Sequence, residues 1–172
     1  AELESMLGIA RTAAPLEAIA ARRQVAALDA APEAEAYEAA SQVRLTLGLG
    51  DGAVLGLGKE LELQAGLRIF ALPFAPSIAA VFIWGGELGA CIGLNAGLPL
   101  TRRRACLAHE LGHFLRDPEA GDLLFAAPPS SKDPAERFCD AFARELLMSA
   151  EGLRRRVTRL RSLRGGQLTV GD

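Results

Sequence analysis

Two histidines four residues apart, His109 and His113, constrain this chain more than any other feature of its 172 residues. At that spacing the two imidazoles share a face only if the segment is α-helical. On the same wheel Leu107, Ala108, Leu111, Phe114 and Leu115 gather on one side. Both histidines fall nearly opposite, beside the small residues Ala105, Cys106 and Gly112. A core role for them fits poorly, and because the chain has no other histidine, scattered surface use does not explain the pair either. A helix apolar on its back, with imidazoles among small residues in front, suits the floor of a cleft. The full pattern is His109-Glu110-Leu111-Gly112-His113, or HExxH. Two histidines so placed can share one metal, and Glu110, displaced by about 100°, can reach a water beside it as general base. Because HExxH alone also arises without function, the context has to decide.

A catalytic zinc site takes three protein ligands and leaves a fourth position open. Glu136 is the best candidate for the third. It opens a second helix, begun by Asp133-Pro134, whose residues Ala135, Phe138, Cys139, Phe142, Ala143, Leu146 and Leu147 repeat with helical spacing. Glu136 lies about 85° from the centre of that stripe and so borders the core at a helix-helix seam. An alternative stands beside this reading: Asp133 to Glu136 is also a capping-box pattern, with the glutamate reaching back to the N-cap amide. Asp140, one turn on, reads either as a solvated carboxylate paired with Arg137 or Arg144, or as the acceptor that fixes the tautomer of one metal-bound imidazole.

The rest of the chain reads as one domain of α+β class. About three short helices fill the Ala- and Glu-rich first 47 residues, with prolines at 15 and 32 suited to helix first turns and Gly48 ending the third. A further helical stretch stops at Gly66. Three runs of strand character follow, Leu67 to Leu72, Ile78 to Trp84 and Ala90 to Leu94, with Gly85-Gly86 as a hairpin signal, and suggest a small antiparallel sheet. Thr101 is the expected N-cap of the HExxH helix, which Asp117-Pro118 stops. Residues 117–132 read as a loop, and a last helix from about Glu151 to Arg164 carries six arginines. The expected organisation is a helical extension over 1–40, a core over 41–149 and a basic helix and tail over 150–172.

A net charge of −2 gives no global attraction to nucleic acid or anionic membranes. The longest apolar stretch, Ala71 to Trp84, contains two prolines and falls short of the ~20 residues a spanning helix needs. Neither a secretory signal nor a disulfide framework is expected, and Cys91, Cys106 and Cys139 read as reduced thiols of a cytoplasmic protein, Cys106 and Cys139 as buried small residues. Trp84 and the phenylalanines are expected in the core. The arginine-rich helix reads as a solvated face, with DNA contact the lesser alternative.

The two motifs together resemble those of the ImmA/IrrE metallopeptidases. The likeness runs from about Ala40 to Ser149. It consists of Ile92-Gly93-Leu94-Asn95, then Arg102-Arg103-Arg104 leading into Leu107 to His113, then Glu136 to Met148. It implies a zincin-like α+β fold, a Zn2+ cofactor, Glu136 as third ligand, and a helix-turn-helix repressor as protein substrate. Asp140, Cys139 and Ser149 depart from the family's usual Asn, Ala and Pro, and none removes a ligand. In the implied mechanism Glu110 relays the proton of a metal-activated water to the leaving amine. The oxyanion donor is unassigned, since the only tyrosine, Tyr37, is remote in sequence. An edge of the sheet between Ile78 and Leu94 is a candidate to hold substrate as an added strand. Two competing readings are a catalytically silent metal-binding sensor and an oxygen-activating iron site with two histidines and one carboxylate.

Overall fold

A computed structural model describes residues 16, 18–20, 31–83, 90–116 and 133–163. Among them lie five helices and three strands: α1 (Pro32–Thr46), α2 (Leu57–Ala65), β1 (Arg68–Leu72), β2 (Ala80–Ile83), β3 (Cys91–Asn95), α3 (Leu100–Arg116), α4 (Pro134–Leu147) and α5 (Ala150–Leu163). Leu16 and Ala18 to Ala20 are also helical, and Leu16, Ile19 and Ala20 are buried in the core. The fold is α+β, as expected. Trp84, the Gly85-Gly86 turn, the loop over 117–132 and the last residues beyond Leu163 lie outside the described residues, as does most of the chain before Ala31.

The helix limits follow their punctuation. Pro32 occupies the first turn of α1, where its missing N–H costs nothing. Gly66 closes α2 at φ 64°, a left-handed conformation that favours glycine. Asp133 caps α4, its side chain accepting from the Ala135 N–H at 2.8 Å. The HExxH helix begins at Leu100, one residue before the expected cap Thr101, which is itself helical.

The strands fall where expected, but the sheet is mixed. Its order is β1-β3-β2, with β2 antiparallel to β3 and β1 parallel to it. Periodicity locates strands and says nothing of their order. Here β3 returns antiparallel to β2 and slots between it and β1, so β1 and β3 run the same way. The connection over 73–79 is pinned by Asn95, whose side-chain amide donates to the carbonyls of Ile78 (2.8 Å), Ala75 (3.2 Å) and Phe74 (3.3 Å). Its Oδ1 accepts from the Gly97 N–H at 2.9 Å. A Cβ on Gly93 would lie 3.0 Å from both the Phe74 ring and Val81, so glycine there lets Phe74 lie across the sheet.

Ile92, Leu94, Ala80 and Phe82 belong to the core, which α3 covers, and the Phe82 and Phe114 rings meet at 5.4 Å. Phe82, Phe114, Phe138 and Phe142 are buried as expected, but Phe70 on the edge strand β1 is 48% exposed. Helix α4 is enclosed on two sides, by α1 and by α3. That is why Ala141, outside the expected stripe, is fully buried alongside Phe138, Cys139, Phe142 and Leu146. No helix among the described residues is long and apolar enough to cross a membrane.

Candidate metal centre

Helix α3 turns Leu107, Ala108, Leu111, Phe114 and Leu115 into the core and leaves His109 and His113 part-exposed on the opposite side. Their rings lie edge to face, 5.0 Å between centroids. Helix α4 packs across them, and Glu136 projects from its first turn into the gap. One carboxylate oxygen, Oε2, is 3.2 Å from His109 Nε2, and the other, Oε1, is 3.4 Å from His113 Nε2. Only the Asp133 half of the capping-box pattern is realised: Asp133 caps the helix, and Glu136, instead of reaching back to the N-cap amide, faces the histidines.

Asp140, one turn further on, sits on the other ring nitrogen of His109, with Oδ1 3.0 Å from Nδ1. A carboxylate only accepts, so Nδ1 carries the proton. Nε2 then faces a carboxylate oxygen, a contact that is favourable only with a proton or a metal cation between the two atoms. His113 is held neutral, its pKa lowered to about 4 by burial first and then by His109 and Arg116. Two imidazole nitrogens and a carboxylate converging in this way form a donor set suited to a borderline-soft divalent cation such as Zn2+.

Glu110, next to His109 in α3, is almost fully buried. Burial, with a smaller contribution from the Glu136 carboxylate, lifts its pKa from 4.5 to about 7. Cys139, fully buried, shares the site: one ligand atom each from His109, His113 and Cys139 lie within 4.8 Å of one another. Of the two candidate third partners we favour Glu136, because it sets one oxygen against each imidazole, at 3.2 Å and 3.4 Å, and keeps about a fifth of its side chain exposed. Burial pushes the Cys139 thiol in the protonated direction.

Two arginines hold α4 in place, in roles that no local sequence pattern marks. Arg116, at the end of α3, donates to the Pro134 carbonyl at 3.1 Å, and its guanidinium lies 5.9 Å from the centre of the Phe138 ring. This fixes the turn that bears Glu136. At the other end Arg44, buried in α1, donates to the Leu146 carbonyl and to the carbonyls of Gly50 and Gly52. An arginine in a helix ordinarily reads as surface, so its burial becomes visible only with the packing. Arg137 adds an ion pair with Glu33 of α1 at 2.6 Å.

Tyr37 is half exposed on α1. No part of the site geometry involves it.

Comparison with curated proteins and with solved structures finds no match. Residues 63–164, more than half the chain and running from the last three residues of α2 to the end of α5, match the family model of the IrrE N-terminal-like domain, a peptidase family. The HExxH helix, the sheet under it and the glutamate-bearing helix all fall inside that span, and the chain belongs to the IrrE N-terminal-like family of peptidases.

Proposed function

We propose that this protein is a zinc-dependent endopeptidase. In this reading His109, His113 and Glu136 hold the ion, Glu110 is the general base, and Asp140 orients His109. The observation that carries the reading is the placement of both Glu136 oxygens, at 3.2 Å and 3.4 Å, against the Nε2 atoms of two histidines on a neighbouring helix. A zinc ion there would supply Lewis-acid activation of a water and of the scissile carbonyl.

This chain's own groups account for the remaining work. Asp140 accepts from His109 Nδ1–H and so fixes which nitrogen faces the site. Glu110, buried beside the histidines, takes the proton of the attacking water and delivers it to the departing amine nitrogen. The apolar side of α3 keeps both histidines and Glu110 at fixed spacing, and the Arg116 and Arg44 contacts keep α4 at a fixed distance from them. Membership of a peptidase family supports a polypeptide substrate. The resemblance to the ImmA/IrrE peptidases narrows that substrate to a helix-turn-helix repressor.

The test is incubation of the purified protein with the helix-turn-helix protein encoded beside it, with and without a chelator. Cleavage should need the metal. Glu110→Ala should keep the metal and lose cleavage, while His113→Ala should lose both. Bound zinc without cleavage, unchanged in Glu110→Gln, would instead favour a silent sensor, and cleavage by Glu110→Ala would remove the general-base role.

A further inference from the structure

We infer that Cys139 is a fourth protein ligand, closing the coordination sphere of the ion held by His109, His113 and Glu136. This inference rests on the metal reading above and adds to it a resting, self-inhibited state of the same site.

Cys139 stands three residues after Glu136, hence on nearly the same side of α4, and directly across from Gly112 of α3. A Cβ on Gly112 would come within 3.1 Å of Cys139 Cα and 3.2 Å of its Sγ. The thiol therefore occupies the space a side chain at position 112 would fill, next to His113 in the chain. It is fully buried, and no hydrogen bond among the described residues engages its sulfur. The ligand atoms of His109, His113 and Cys139 lie within 4.8 Å of one another. Two ligands sharing a tetrahedral zinc, with bonds of ~2.0 to 2.3 Å, stand roughly 3.5 Å apart. The sulfur has at most roughly 1.3 Å to close, within reach of a small change in χ1 and seam spacing.

The chemistry favours that movement. Zinc accepts mixed nitrogen, oxygen and sulfur ligands, and a thiolate is the softest donor in this site. As the sulfur–zinc bond forms, the S–H bond breaks and its proton passes to bulk water, one extra proton released per ion bound. Four protein ligands fill a tetrahedral sphere, and the open position that hydrolysis needs is gone. Cys139 thus holds the ion more tightly and keeps the site closed until the sulfur withdraws.

Zinc X-ray absorption on the purified chain with one equivalent of added zinc tests this directly. The expected spectrum contains one sulfur at ~2.3 Å beside nitrogen and oxygen at ~2.0 to 2.1 Å. Cys139→Ser should lose the sulfur contribution, keep the nitrogen and oxygen shell, and bind zinc at least ~10-fold more weakly. Cys106→Ser, which alters the half-buried cysteine one turn before His109, should leave the spectrum unchanged. Bound zinc with a nitrogen and oxygen shell alone in the unsubstituted protein overturns the role of Cys139 and leaves the zinc site standing. Failure to bind zinc at all overturns both. Because the unsubstituted protein decides between these outcomes, a Cys139 variant that failed to fold would not protect the inference.

Discussion

Helices α4 and α5 are consecutive, each 14 residues long and amphipathic in pattern, yet they do opposite things. In α4, Phe138, Cys139, Ala141, Phe142 and Leu146 are fully buried, and the helix is enclosed by α1 on one side and α3 on the other. In α5 no residue is buried. Its arginines answer to local acids: Arg154 and Arg155 pair with Glu151, and Arg155 also with Asp51. Exposed pairs of this kind contribute little to stability. The contrast shows what a chemical site needs from its scaffold. Glu136 and Asp140 can be held against two imidazoles because the opposite sides of α4 are locked in apolar packing. A helix lying on the surface as α5 does offers no such anchorage.

The largest expected effect is on that packing. Phe142→Ala should cost ~3 to 5 kcal/mol in chemical denaturation, as for other buried phenylalanines. Leu153→Ala on α5, half exposed in the folded protein, should cost under ~1 kcal/mol. Equal losses would abolish the distinction between the helices.

Next comes the buried carboxyl that α4 helps to enclose. In metal-free protein the pKa of Glu110 is raised from 4.5 to about 7, so folding favours the protonated acid. Its contribution is therefore fully present below pH 4.5 and is lost as pH rises through 7, by at most ~3 kcal/mol. Glutamine does not ionise. The melting temperature of Glu110→Gln, relative to the unsubstituted protein in chelator, should accordingly rise between pH 5 and pH 8. His113, whose pKa is depressed instead, acts in the opposite sense below pH 6.5, but both proteins carry it. A pH-independent difference would show that Glu110 ionises freely.

A smaller effect sharpens the role of α4's second acid. Asp140→Ala should weaken zinc binding ~10- to 100-fold, the usual cost of losing the acceptor behind a ligating histidine. Asp140→Asn keeps an acceptor oxygen and should lose less. Smallest of all, Arg159→Ala on α5 should change stability by no more than ~0.5 kcal/mol.

The elements that carry chemistry were legible because their signals are local. Histidines four apart with leucines and a phenylalanine behind them define both the helix and its cleft face, and the apolar repeat from Phe138 to Leu146 defines α4. What was not legible depends on residues distant in sequence. The parallel pairing of β1 with β3 follows from strand order, which alternation does not encode. The burial of Ala141 needs α1 to arrive on the far side of α4. Arg44 is buried because three backbone carbonyls from the loop after α1 and the end of α4 converge on it. The approach of Cys139 to the histidines depends on its fit to Gly112, 27 positions earlier in the chain, and small residues carry no pattern that announces such a fit. Phe70 shows the converse error: an aromatic in a strand reads as core, but β1 has one neighbour among the described strands, and Phe70 is half uncovered.

We propose above that the α3–α4 seam is a metal centre completed by Glu136. Competitive zinc titration against a chromophoric chelator, on the unsubstituted protein and on Glu136→Gln, tests it most directly. One zinc per chain is expected, with a loss of affinity in Glu136→Gln exceeding the ~10- to 100-fold typical of a merely orienting partner. A protein that takes up no zinc, or a Glu136→Gln variant that binds it as tightly as the original, would rule out a metal centre completed by Glu136.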